Sequence, residues 1–126
     1  VLKPAEPFRR PVVAKSVLDG IERWAAGYHL LRETGAVIAN GRLDGVLVPV
    51  GWETRARPGI YGVEVKVSRT DFLRGLNGGQ FDRYLAKVNC LYLATGPDVC
   101  KTAEVPLEIG YLVVGFRGNN GLNPSK

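Results

Sequence analysis

Across residues 14–34, apolar side chains recur at Val17, Ile21, Trp24, Tyr28 and Leu31, in alternating steps of four and three. That spacing predicts one amphipathic helix, weakened but not broken by Gly20 and Gly27 and stopped at Gly35. AVIAN (36–40) then leads into RLDGVLVPV (42–50), whose β-branched residues and flanking Gly and Pro read as a strand, followed by a turn over 51–59. IYGVEVKVS (60–68) alternates strictly: Tyr61, Val63, Val65 and Val67 face one way, Glu64, Lys66 and Ser68 the other. Ser68 and Asp71 have the spacing of a helix N-cap box, so a short helix is expected from residue 69 until Asn77, Gly78 and Gly79 end it. A second helical piece covers 80–87, with Phe81, Leu85 and Val88 as its apolar side and Gln80, Arg83, Tyr84 and Lys87 on the opposite face. NCLYLAT (89–95) and GYLVVGF (110–116) read as further strands, separated by a short segment at 101–104 that Pro106 ends.

The order predicts an α/β domain with a central mixed four- to five-stranded sheet flanked by helices. Residues 1–13, with three prolines, are expected to form an extended arm, residues 14–116 the folded domain, and residues 117–126 a flexible tail. At 126 residues and 45% apolar content, one domain with its own core is the natural reading. The longest uncharged apolar run, residues 46–52, is far below the ~20 residues of a membrane-spanning helix, so no membrane partner is expected. The chain contains no methionine, so a native start upstream of these residues is an expectation of the sequence.

Two cysteines, Cys90 and Cys100, make at most one bridge; Cys90 reads as a buried free thiol, which favours a reducing cytoplasm. With one histidine, His29, expected as a partly buried structural residue, a Cys₄ or Cys₂His₂ zinc site is excluded by count, and so is any metal held mainly by sulfur or imidazole. No phosphate-cradling glycine loop of the P-loop or dinucleotide type is present. Seventeen Lys and Arg against twelve Asp and Glu give a net charge of +5, a bias toward polyanions.

The remaining chemistry is acidic. Asp44 and Glu64 lie in Val-rich strands twenty residues apart, a spacing that suits a hairpin. Paired, the two carboxylates approach one another, and like charges brought together in an apolar sheet need a positive compensator. Carboxylate and carbonyl oxygens are the ligands of Mg²⁺ or Mn²⁺, and the Val65 backbone carbonyl between Glu64 and Lys66 is a further candidate. Lys66, on the face of Glu64, is then placed to orient or deprotonate an attacking water and to offset charge on a phosphorane-like transition state.

On these residues the chain resembles the PD-(D/E)xK nuclease superfamily, with RLDGVLV as the first acidic strand and GVEVKVS carrying the E-x-K. The likeness runs from about residue 21 to 114, and EVKVSRTDF with the strand CLYLAT looks most like the MmcB-like DNA repair nucleases. The resemblance implies a restriction-endonuclease-like core, DNA as partner and substrate, Asp44 and Glu64 as metal ligands, and Lys66 as the catalytic lysine. QFDRY matches the Q-x-x-x-Y pattern of RecB-like branches and implies that Gln80 and Tyr84 position substrate. Leu43 stands where the signature has proline. A further helix-one glutamate has two candidates, Glu22 ahead of Glu33, and Arg69, Arg74, Arg83 and Lys87 are the candidate phosphate contacts. The rival from another class is a catalytically inactive DNA-binding or assembly module of the same fold. A domain this small offers a limited footprint, so a homodimer or a repair-complex partner is expected.

Overall fold

The computed structural model describes residues 13–32, 43–50 and 59–115, together with the backbone of 122–124. Helix α1, Ala14–Trp24, starts where the Ser16 hydroxyl donates to the Val13 carbonyl (2.8 Å) and accepts from its N–H (3.3 Å). It buries Val17, Leu18 and Ile21. The helix expected to continue to residue 34 stops ten residues early. Gly27, at φ +84°, reverses the chain, and Tyr28–Arg32 forms strand β1. Tyr28 and Leu31 satisfy a helical stripe on paper, but a five-residue run fits both periods, and pairing with the next strand decides it. Leu30 turns inward (5% exposed) while His29 and Leu31 face out, so His29 is exposed and not the partly buried residue expected.

Strands β2 (Gly45–Pro49) and β3 (Tyr61–Lys66) follow, then helices α2 (Arg69–Asn77) and α3 (Gln80–Leu85), β4 (Cys90–Thr95), a 3₁₀ turn at Thr102–Glu104, β5 (Gly110–Val114) and β6 (Leu122–Pro124). The sheet is mixed and ordered β1-β2-β3-β4-β5-β6: β3, β4 and β5 run parallel, and the outer pairings are antiparallel. The α/β fold with helices on both faces is that of a restriction-endonuclease-like core. The sheet exceeds the expected strand number because β1 replaces helix and because β6, within the stretch read as a flexible tail, pairs with β5. The extended arm over 1–12, AVIAN and the turn over 51–58 lie outside the described residues.

Each face of the sheet has its own core. On one, α1 covers Val63, Val65, Ala94, Leu112 and Val114. On the other, Phe72 of α2 and Phe81 and Tyr84 of α3 cover Leu91, Leu93 and Tyr111. Phe72 is fully buried, its ring 6.2 Å from that of Phe81, and its burial alone contributes roughly 1.5–3 kcal/mol. This second face carries Glu64, because alternation along β3 sends Val63 and Val65 to α1 and Glu64 and Lys66 to α2 and α3. Cys90 and Cys100 are both free thiols; Cys90, at the first position of β4, is exposed rather than buried.

Candidate active site

The β2–β3 register pairs Gly45 with Val63 and Leu47 with Tyr61. One step further along this hairpin sets Asp44 across from Glu64, as their spacing suggested. Asp44 stands just before β2, and its Oδ2 accepts the Val65 N–H at 2.7 Å, which ties the carboxylate to the strand that carries Glu64. The N–H and C=O of one strand residue point to the same edge, so the Val65 carbonyl faces the side on which Asp44 lies.

Glu64 is 3% exposed, in a face otherwise lined by Leu, Val and aromatic side chains. Its Oε2 lies 3.2 Å from Lys66 Nζ, while its Oε1 is the buried side-chain oxygen that lacks a hydrogen-bond partner among the described residues. Burial, and after it the neighbouring Asp44 carboxylate, pushes the Glu64 pKa up to about 8, outweighing the opposing pull of Lys66. While protonated, Glu64 shares a hydrogen bond with Asp44; once ionised it leaves Oε1 buried with no donor, at a cost of about 1–3 kcal/mol. Two adjacent carboxylates with an orphaned oxygen between apolar layers fit the oxygen donor set of a hard divalent cation. No cluster of three or more Asp, Glu, His or Cys occurs among the described residues, so the acidic donors are these two.

Lys66 is held on both sides. Besides Glu64, its Nζ donates to Gln80 Oε1 at 2.7 Å, and the amide Nε2 of Gln80 donates to the Tyr84 hydroxyl at 3.4 Å. The α2 backbone makes room for this arrangement at Gly75, where a Cβ would lie 2.7 Å from Gln80 Oε1 and 3.1 Å from Lys66 Cε. The Ser68 cap, accepting the Asp71 N–H at 3.2 Å, starts α2 where the sequence placed it. Lys66, Asp71, Arg74, Gly75, Gly78, Gln80 and Arg83 line a recess of about 420 Å³ that opens to solvent.

The remaining sequence candidates divide. Arg74 and Arg83 reach the recess, Arg74 3.6 Å from Asp71 and Arg83 donating to the Gly78 carbonyl at 3.1 Å. Lys87 is exposed just beyond α3 and does not line the recess. Arg69 is committed elsewhere: it grips both oxygens of Glu104 at 3.0 and 2.6 Å and donates to the Val99 carbonyl at 3.3 Å, pinning the segment after β4 to α2. Together with the Lys101 N–H, it holds the Glu104 carboxyl down at about 2. Tyr84 does not share an open face with Gln80. It is 4% exposed within the α2–α3 core and is linked to the site through its bond to Gln80. Helix wheels place residues 80 and 84 together, but a six-residue helix pressed flat on a sheet buries more than one stripe. Glu22 stands on α1, across the sheet from Glu64, 3.8 Å from Arg32 and largely exposed. Glu33 lies outside the described residues. The contribution of Gly75 was not legible beforehand, because a glycine inside a short helix carries no signal of what lies against it.

No family model matches the chain, and no curated protein does. Among solved structures it is similar to a protein of unknown function from Silicibacter pomeroyi, with a TM-score of 0.61 and 23% identity over 83% of this chain; the chain spans 64% of that protein's length. At this identity the likeness shows the shared fold, an α/β architecture with a mixed sheet between helices. No helix among the described residues is long and apolar enough to cross a membrane.

Proposed function

We propose that this chain is a divalent-metal-dependent nuclease of PD-(D/E)xK type, hydrolysing phosphodiester bonds in DNA. The observation that carries the reading is the orphaned, buried Oε1 of Glu64 beside Asp44 and Lys66. Asp44, Glu64 and the Val65 carbonyl would hold Mg²⁺ or Mn²⁺. When bound, the ion supplies charge compensation for the two carboxylates and Lewis acidity toward a phosphate oxygen.

The protein's own groups do the rest. Asp44 is pre-set by the Val65 N–H, so its free oxygen needs no reorientation. Lys66 spends two of its three N–H donors on Glu64 and Gln80 and keeps the third for a water or a phosphate oxygen. At 12% side-chain exposure its charge acts in a low-dielectric setting, where it offsets the negative charge that develops on the phosphate. Gln80 fixes the rotamer of Lys66, Tyr84 fixes Gln80, and Arg74 and Arg83 receive the flanking phosphates at the recess. The finer likeness, to the MmcB-like DNA repair nucleases, rests on EVKVSRTDF and CLYLAT and suggests repair, recombination or restriction as the setting, in the cytoplasm.

The test is cleavage of single-stranded, duplex and branched DNA with Mg²⁺ or Mn²⁺, for the wild type and for Asp44→Asn and Glu64→Gln. Cleavage that needs the ion and is lost in both variants, with DNA binding kept, supports the reading; cleavage rates unchanged in both variants at saturating metal sink it. The second reading is a DNA-binding or assembly module of the same fold without turnover. It is favoured by the small donor set, two carboxylates with no third acid among the described residues.

A further inference from the structure

A second recess lies on the opposite face of the sheet from Glu64. Trp24 and Ala25 at the end of α1, Tyr28 of β1, Tyr61 of β3 and Tyr92 of β4 wall a cavity of about 320 Å³ over Leu47, which is 3% exposed. The rings are held, not loose. Trp24 meets Tyr92 edge-on (centroids 5.9 Å apart, planes at 74°), and Tyr28 meets Tyr61 in the same way (5.6 Å, 85°). Tyr92 lies across its β5 neighbour Gly110, where a Cβ would come within 2.5 Å of the ring; a side chain at 110 would push the wall out of place. Trp24 nonetheless keeps 39% of its surface exposed, a large apolar ring left open to solvent at the rim of the recess.

Aromatic boxes take either cations or flat rings, and the charges separate the two. None of the lining residues is an acid, so a cation would enter with no carboxylate to meet it, and it would do so in a chain of net charge +5. A neutral ring carried on a polyanion meets neither obstacle: the chain attracts the backbone while the rings accept the base. We propose that this recess binds an unpaired nucleobase, so that the protein grips single-stranded nucleic acid on the face opposite the carboxylate pair. A base in a duplex presents only its edge to a groove, whereas an unstacked one offers its π-face and fits a cavity of this size. The identity of the ligand rests on the nuclease reading; its binding requires neither metal nor cleavage.

The experiment is run on the full chain in EDTA, in a Trp52→Phe background that leaves Trp24 as the sole indole. Titration with a short oligothymidylate should quench Trp24 saturably, while an abasic oligonucleotide of equal length should bind much more weakly. By anisotropy of labelled oligothymidylate, Trp24→Ala should weaken binding about 5- to 150-fold, and Trp24→Phe, which keeps a ring at the wall, should recover most of the loss. A circular dichroism melt confirms that the variants fold. Equal affinity for the abasic strand, an unaltered Trp24→Ala, or quenching by tetramethylammonium in place of oligothymidylate overturns the proposal. Absence of metal-dependent cleavage would overturn the nuclease reading alone, since every readout here is metal-free.

Discussion

Glu64→Gln should stabilise the metal-free protein at neutral and alkaline pH, although it removes the residue on which the site depends. The folded-state pKa of Glu64 is about 8 against an ordinary 4.5, the shift being caused first by burial and next by Asp44. The folded protein therefore binds the Glu64 proton more tightly than the unfolded chain does. The sign follows: this group's contribution to stability is full below pH 4.5, falls by about 1.4 kcal/mol per pH unit as the pH rises, and is lost once the pH passes about 8. The whole span is worth roughly 5 kcal/mol, a large share of the ~5–15 kcal/mol that holds a domain together. Because the side chain is only 5% exposed, solvent screening does little to reduce it. Glutamine has the same shape and no charge to bury, so it escapes this penalty. Urea denaturation of wild type and variant in EDTA, at steps from pH 4.5 to 9, gives the difference for Glu64 together with its coupled neighbours Asp44 and Lys66, since titrating groups remote from it cancel. The margin in favour of Glu64→Gln should be near its minimum at pH 4.5, widen steadily and level off above pH 8. Saturating Mn²⁺ should reverse it, by stabilising only the wild type. A margin that does not change with pH, or a variant less stable than wild type at pH 8, would refute the reasoning.

Lys66→Ala should lower DNA turnover by at least ~10²-fold with metal affinity retained, and Lys66→Arg should not restore it, because arginine stays protonated and cannot give up a proton as lysine can; steady-state kinetics with a metal titration decide both. Gln80→Ala should cost catalysis about 1–3 kcal/mol, and Tyr84→Phe less; the double variant should lose no more than Gln80→Ala, since Tyr84 acts through Gln80, as a double-mutant cycle on kcat/KM will show. Gly75→Ala should keep or raise the melting temperature, as alanine favours the helix, yet lower kcat by displacing Gln80 and Lys66. Arg83→Ala and Arg74→Ala should flatten the salt dependence of DNA binding, whereas Arg69→Ala should leave it unchanged and instead lower thermal stability through the loss of the Glu104 clasp.

The strict alternation of IYGVEVKVS made β3 legible, and with it the common face of Glu64 and Lys66, because a period of two has no competing reading over that length. The Ser68 cap and the glycine break at 78–79 were legible for the same local reason. What failed was decided by tertiary pairing. Tyr28–Arg32 became strand because β2 was there to receive it, and Leu122–Pro124 became the sixth strand because β5 presented an open edge. Tyr84 and Arg69 carry the residue types of a substrate site, but type does not report whether a core or a Glu104 has claimed the side chain first. The aromatic recess was invisible for a related reason: its rings come from four elements, and the strand registers from β1 through β4 bring them together.

The central claim is that Asp44 and Glu64 exist to share a divalent cation, and calorimetric titration of Mn²⁺ at pH 7 tests it most directly. Run in buffers of different ionisation enthalpy, the titration also counts protons. With the Glu64 pKa at about 8, the carboxyl is protonated at pH 7 before the ion arrives and must ionise to receive it. The expected result is a saturable site that releases close to one proton on binding, with apparent affinity rising about tenfold per pH unit until pH 8, and with binding lost in both Asp44→Asn and Glu64→Gln. No saturable binding, or binding that both variants retain with no proton released, would contradict it.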